Sequence, residues 1–165
     1  MCGVILRCTQ DFLYTKEVFS TRKGNHMQNI KVGIGVIIIT EAGKILLGKR
    51  LNAQGHGTWA PPGGHLEYGE SFEECARREA LEETGLTVGD LQQVTTINNV
   101  DTVVNNHGVT IFMYAQYIGG EPKVMEPEKC ESWHWFDING KLPEPLFQPF
   151  QLFINGFHEF CKSQE

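Results

Sequence analysis

Residues 64–86 read GHLEYGESFEECARREALEETGL, and this stretch decides the fold. Ser71-Phe72-Glu73-Glu74 fits a capping box, with Ser71 as N-cap and Glu74 as its reciprocal partner. A helix is therefore predicted from Phe72 to about Thr84, with Gly85 placed to close it in the left-handed conformation. At ~100° per residue, Phe72, Cys75, Ala76, Glu79 and Glu83 share one stripe, and Glu82 lies at its edge. The inward face is thus apolar at first and then turns to carboxylate. Buried unpaired carboxylates are costly, and they persist where they bind cations or pair with bases. Glu79 and Glu83 stand one turn apart, so their carboxylates can converge on one point. Hard divalent cations such as Mg²⁺ or Mn²⁺ favour such oxygens. On the helix pattern alone, a surface helix with charges scattered for solubility is an equal alternative; Arg77 and Arg78 would then make exposed ion pairs of little worth.

On the N-terminal side of this stretch, Ile30–Thr40 is rich in Ile and Val and reads as a strand. Glu41-Ala42-Gly43 is a short turn, and Lys44–Arg50 reads as a second strand paired with the first as a hairpin. Residues 51–63 carry Gly55, Gly57, Pro61, Pro62 and Gly63 and read as a loop, followed by a short extended piece, His65–Tyr68. On the C-terminal side, Val94–Val104 and Val109–Ile118 are β-rich runs separated by Asn105-Asn106-His107-Gly108, a good hairpin turn. Glu131–Phe136 reads as a short aromatic strand. Leu146, Phe147, Phe150, Phe153, Ile154 and Phe157 recur at helical spacing, as in an amphipathic helix packed on the body. Residues 1–29 show no clean period. They are expected to be an N-terminal extension or to precede a true start at Met27, leaving 30–165 as the domain.

A chain of 165 residues is one domain's worth, and 41% apolar with 21% charged residues excludes wholesale disorder. The longest apolar run, Val32 to Ile39, is too short to span a bilayer. A net charge of −6 argues against a nucleic-acid polymer or an anionic membrane as partner. A small acidic ligand remains open to it, given a metal ion or a few local basic residues. Cysteines at 2, 8, 75, 130 and 161 form no Cys-x-x-Cys pair, which reads as free thiols in a reducing compartment. The first residues lack the basic and apolar regions of a signal peptide, so the cytoplasm is the expected location.

Gly64, Glu70, Arg78, Glu79, Glu82, Glu83, Gly85 and Leu86 fall in register with the Nudix box, and Ala80 takes its bulky apolar position. Seven specified residues match by chance in on the order of one window in 10⁸ at ordinary residue usage. Leu46-Leu47-Gly48-Lys49-Arg50, Pro62-Gly63-Gly64-His65-Leu66-Glu67 and Glu126-Pro127-Glu128-Lys129 with Trp133-His134-Trp135-Phe136 extend the similarity over roughly 30–138. The chain resembles the Nudix hydrolase family, in particular its MutT-like nucleoside triphosphate pyrophosphohydrolases, the branch that includes thiopurine-nucleotide diphosphatases.

That resemblance implies an α/β fold, an α/β/α sandwich around a mixed β-sheet. It implies Mg²⁺-dependent cleavage of a nucleoside diphosphate linked to a further group, in this branch a (deoxy)nucleoside triphosphate, modified or guanine nucleotides included. By position, Glu79 and Glu83 are metal ligands, and Glu82 is a third ligand or helps to activate water. Arg78 orients the catalytic glutamate, and a loop carboxylate, Glu126 or Glu128, completes the set. Arg50 is expected on substrate phosphate and His65 on phosphate or base, while Trp59, Trp133 and Trp135 are weighed as core rather than base-stacking residues. The branch also implies a homodimer. Residues 87–121 lack the proline often found in ADP-ribose hydrolases, and the serine–glutamine–proline–tryptophan motif of the NADH branch is missing. Two alternatives stay open: a hydrolase of another nucleoside diphosphate-linked compound, and a non-catalytic nucleotide-binding module.

Overall fold

The computed structural model describes residues 30–52, 54–101 and 106–162. The expectations for residues 1–29, and for the side chains of Phe157 and Cys161, fall outside it. In chain order the elements are β1 (Lys31–Ile39), β2 (Lys44–Arg50), β3 (Trp59–Ala60), β4 (Gly63–His65), α1 (Phe72–Thr84), β5 (Val88–Asp101), β6 (Asn106–Tyr117), β7 (Cys130–Asp137) and α2 (Gln148–Lys162).

β1 is the centre of the sheet. It pairs in parallel with β6 along its whole length, from Lys31↔Gly108 to Ile39↔Gln116, and β6 pairs antiparallel with β5. Its other edge is taken by β4 at Gly33–Gly35, and Val36 N–H donates to the Pro62 carbonyl at 2.8 Å. The chain at 62–65 is therefore wedged between β1 and β2. The expected β1–β2 hairpin is joined only at its turn end, Ile39↔Ile45, and β2 leaves to pair with β3 and β7.

Alternation of side chains sends β1 residues to opposite faces. Ile34, Val36 and Ile38 meet Ile111, Met113 and Ala115 beneath Cys75, Ala76 and Ala80 of α1. Ile37 and Phe112 meet Phe150, Phe153 and Ile154 of α2 on the other face. Each large aliphatic or aromatic side chain so removed from water contributes about 1.5–3 kcal/mol. The result is the expected α/β/α sandwich around a mixed sheet. Among the described residues, no helix is long and apolar enough to cross a membrane. Cys75 and Cys130 are free and buried.

α1 has the predicted bounds. Both halves of the Ser71–Glu74 capping box are formed, and Gly85, at φ 70°, sends its N–H to the Leu81 carbonyl. Other expectations need correction. The segment read as a loop at 51–63 contains β3 and the start of β4, and β4 ends at His65 rather than continuing to Tyr68. β5 begins at Val88 rather than Val94. Its register is irregular between Val88 and Leu91 and between Gln93 and Thr95, which breaks the alternation that marks a strand in sequence. Residues 106–108, expected in a turn, continue the β5–β6 ladder against Asn99, Val100 and Asp101. Leu146 and Phe147 precede α2; the Phe147 N–H donates to the Trp59 carbonyl at 2.9 Å, so the helix starts only at Gln148.

Candidate active site

The wedge of chain at 62–65 brings β4 against the last turns of α1. Gly63 has φ 154°, and a Cβ there would overlap the Ile34 carbonyl oxygen, so only glycine fits between β1 and α1. Its N–H donates to Glu83 Oε2 at 3.0 Å. A Cβ at Gly64 would overlap the Glu79 carboxylate. The double glycine thus makes room for two acidic groups that the helix aims at the sheet. Glu79 is only 8% exposed.

Arg78 binds this arrangement together. Its Nε donates to Glu70 Oε1 at 2.8 Å and its Nη2 to Glu70 Oε2 at 3.0 Å, a bidentate pair. Its Nη1 donates to Glu79 Oε1 at 2.7 Å and to Glu82 Oε2 at 3.2 Å, and its Nη2 also reaches the His65 carbonyl at 3.2 Å. The Arg78 hydrogen bonds hold the Glu70 carboxyl down to about 2. Glu82 remains exposed at the helix edge, as its place on the stripe requires.

Burial acts the other way on the inner pair. It pushes the Glu79 carboxyl above the usual range despite Arg78. It pushes Glu83 up to about 7, with the Gly63 N–H opposing and the charges of Glu79 and Glu126 adding to the rise. Glu126 lies in the loop before β7 and pairs with Lys129 at 2.7 Å. Its charge bears on both Glu79 and Glu83, and the charge of Glu128 helps to raise Lys129. Among the described residues, no three carboxylate, imidazole or thiol groups are drawn together as a finished ligand set. Arg78 and the Gly63 N–H hold the carboxylate oxygens instead. The donor chemistry nevertheless fits a hard cation: buried, mutually repelling carboxylates, with no cationic side chain bonded to Glu83 among the described residues.

These groups open on a cleft of about 370 Å³. Glu79, Glu83, Arg50 and His65 all line it, so the cleft gathers these sequence-derived candidates, and it adds Lys129, which the sequence did not single out. Arg50 lies over the Phe147 ring at 4.3 Å and donates to the Gln54 carbonyl at 3.1 Å. Burial lowers its pKa, and the nearby Glu83 charge opposes that. The tryptophans are packed elsewhere. Trp59 stands edge-on to Phe136, Trp135 to Tyr117, and the Trp133 indole N–H donates to the Glu83 carbonyl at 3.1 Å.

Sequence reasoning missed Asn99 and Phe147 as cleft residues. Asn99 is 6% exposed, and its Oδ1 is closed to solvent with no hydrogen-bond partner. Such an orphaned acceptor costs about 1–3 kcal/mol. One signal was present: asparagine is depleted in strands, yet Asn98-Asn99 stands inside a β-rich run.

Comparison with known proteins agrees with this geometry. The NUDIX domain pattern matches residues 29–150. An oxidized purine nucleoside triphosphate hydrolase of Danio rerio is 32% identical over 109 residues, 66% of this chain and 67% of that protein. An ADP-ribose pyrophosphatase of Methanocaldococcus jannaschii is 37% identical over 110 residues, 67% of this chain and 63% of that protein. The chain thus spans about two thirds of the length of these relatives. The crystal structure of a MutT NUDIX hydrolase from Burkholderia pseudomallei superposes with a TM-score of 0.72 at 31% identity, covering 78% of this chain and 98% of that one. The chain belongs to the NUDIX domain family, and its hydrolase relatives place it among the pyrophosphohydrolases.

Proposed function

We propose that this chain hydrolyses nucleoside and deoxynucleoside triphosphates, modified or guanine nucleotides among them, to a monophosphate and pyrophosphate with Mg²⁺, for which Mn²⁺ can substitute. The observation that carries this reading is the meeting of buried Glu79 and half-buried Glu83 with Gly63–Gly64, on a cleft that also presents Arg50 and Lys129. A polyphosphate repels nucleophiles by its own charge, so the site must supply positive charge where phosphate binds. Glu79 and Glu83, joined by Glu126, are the groups assigned to hold the divalent ion. That ion, when bound, neutralises phosphate oxygens and lowers the pKa of a water.

The remaining roles belong to this chain's own residues. Arg78 fixes the Glu79 carboxylate while leaving Glu83 facing the cleft. Glu82, exposed beside Arg78, is assigned as a further ligand or as the acceptor of the water's proton. Arg50, steadied on Phe147, and Lys129 meet the phosphate chain, and His65 borders it. Residues 30–165 are taken as the folding unit. The buried free thiols Cys75 and Cys130 suit a reducing compartment such as the cytoplasm. A homodimer is proposed as the assembled form, since Ile118, Met125 and Leu152 leave large apolar side chains exposed.

The similarity to an ADP-ribose pyrophosphatase favours one second reading, hydrolysis of a nucleoside diphosphate linked to a sugar. A panel of nucleoside triphosphates, diphosphates and ADP-ribose with Mg²⁺, read for pyrophosphate and monophosphate, separates the two. Pyrophosphate from triphosphates is expected. Faster turnover of ADP-ribose would replace the first reading with the second, and no turnover of any compound would leave a binding module.

A further inference from the structure

We infer that Trp133 is a positioning residue for the metal site: its indole N–H, seated on the Glu83 carbonyl, ties the end of α1 and the chain at 123–126 to the sheet, so that the carboxylates of Glu83 and Glu126 keep one spacing. This rests on the proposed divalent-ion site and adds the side chain that sets its geometry from outside it.

α1 ends at Thr84, so Glu83 stands in its last turn. The last carbonyls of a helix have no partner within the helix, and that turn opens most readily. Here two of them are taken by groups from far along the chain. The Glu83 carbonyl accepts the Met125 N–H at 3.2 Å and the Trp133 indole N–H at 3.1 Å. The Thr84 carbonyl accepts the Lys123 N–H at 2.8 Å. Residues 123–125 are thus laid along the end of α1, and Glu126 follows directly. Its carbonyl accepts the Lys129 and Cys130 N–H groups, both at 3.0 Å, which turns the chain into β7. The backbone of one candidate ligand therefore carries the backbone of the other.

Trp133 fixes this joint to the sheet. It lies in β7 opposite Gly48 of β2, in a ladder that runs in register from Lys44↔Asp137 to Gly48↔Trp133. A Cβ at Gly48 would meet the ring at 2.6 Å, so the glycine lets the indole lie across β2. The ring also packs against the core beneath α1. Its N–H is presented to the helix from within a paired strand. The Met125 bond comes from a loop, and at 3.2 Å it is at the long end for N–H···O. Without the indole bond, the joint hangs on the loop alone, and both carboxylates gain freedom. A metal ion then has to order its own ligands, and affinity is lost to that ordering.

The test reads metal binding, apart from turnover. Mn²⁺ is titrated into the full chain, and the free ion is followed by electron paramagnetic resonance. Trp133→Phe keeps a ring against the core and deletes the N–H. Its Mn²⁺ affinity should fall about fivefold or more, as for other groups that orient metal ligands. In a Glu126→Gln background the same substitution should cost less than about twofold, because the spacing it protects no longer matters. If Trp133→Phe does not fold, benzothienylalanine at position 133, which has the shape of tryptophan without its N–H, replaces it in both backgrounds. The inference is overturned if the folded variant binds Mn²⁺ as wild type does, or if the loss is equal in both backgrounds; a lower melting temperature with affinity kept would mark Trp133 as packing alone. Absence of Mn²⁺ binding by wild type at millimolar concentration would overturn the proposed metal site, and this inference with it. Mn²⁺ binding that depends on Trp133, without turnover of any nucleotide, would overturn the proposed hydrolysis and leave this inference standing.

Discussion

The two walls of the cleft differ in how much chain is needed to build them. The acidic wall comes from one continuous piece, residues 63–86, in which Gly63, Gly64, Glu70, Arg78, Glu79 and Glu83 contact one another directly. The opposite wall is assembled from distant pieces: Arg50 from the end of β2, Asn99 from β5 and Phe147 from the approach to α2. The first wall is held by charge and short sequence separation. The second is held by sheet register and by the packing of α2. A local motif can therefore be recognised across many proteins while the wall facing it is free to differ, and the chemistry of cleavage separates from the choice of substrate.

The sharpest break of that comparison is Glu83→Gln in the acidic wall. It keeps size and hydrogen bonding but deletes an anionic oxygen, so turnover with Mg²⁺ should fall to less than about a tenth of wild type. Circular dichroism and the melting temperature should be preserved, since a neutral amide is easier to bury than a carboxylate. Turnover above that level would remove Glu83 from the ligand set. Next in size is Arg78→Ala. It strips the partner from the buried Glu79 and from Glu70 together, at about 2–3 kcal/mol, which thermal unfolding should register as a fall of roughly 5–10 °C.

Acid sensitivity gives a finer probe of the same wall. The Glu70 carboxyl sits at about 2 when folded, below its ordinary 4.5. Its ion pair therefore stabilises the fold above about pH 4.5, and this contribution is lost as pH falls toward 2. Wild type should exceed Glu70→Gln by about 1–2 kcal/mol at neutral pH, allowing for screening by water, and the gap should close in acid. Denaturant titrations of both proteins at pH 7 and pH 3 would show it; a constant gap would contradict the ion-pair account.

Phe147→Ala turns to the opposite wall. Removing the ring under Arg50 should cost about 0.5–1 kcal/mol of substrate binding, seen as a two- to fivefold higher KM with kcat nearly unchanged. A fall in kcat instead would place Phe147 in the chemistry. The smallest effect is expected from a chain starting at Met27, because both walls lie beyond it. It should fold and turn over substrate as the full chain does, with a melting temperature within ~5 °C. A larger drop would make the first residues part of the fold.

What was legible in the sequence follows from distance along the chain. The Ser71–Glu74 box, the Gly85 terminus and the carboxylate stripe at Glu79 and Glu83 are fixed by neighbours a turn or less apart, so residue types alone specify them. The aliphatic run of β1 and the spacing of Phe150, Phe153 and Ile154 in α2 were readable for the same reason. β4 was hidden because Pro62-Gly63-Gly64 looks like loop, and it becomes strand only when β1 lends it a partner. The hairpin expected between β1 and β2 was opened by that same insertion.

Only the tertiary structure shows how Glu126 relates to the acidic helix: it pairs with Lys129, and its charge helps to raise Glu83. Only it could bring Asn99 beside the cleft, through β5–β6 pairing across bulges that no period reveals. The sequence by itself determined the helix that carries the acids and the glycines that admit them, because those are local sterics and hydrogen bonds. The shape and polarity of the wall opposite were left to long-range pairing, where each side chain's position depends on strands far away in the chain.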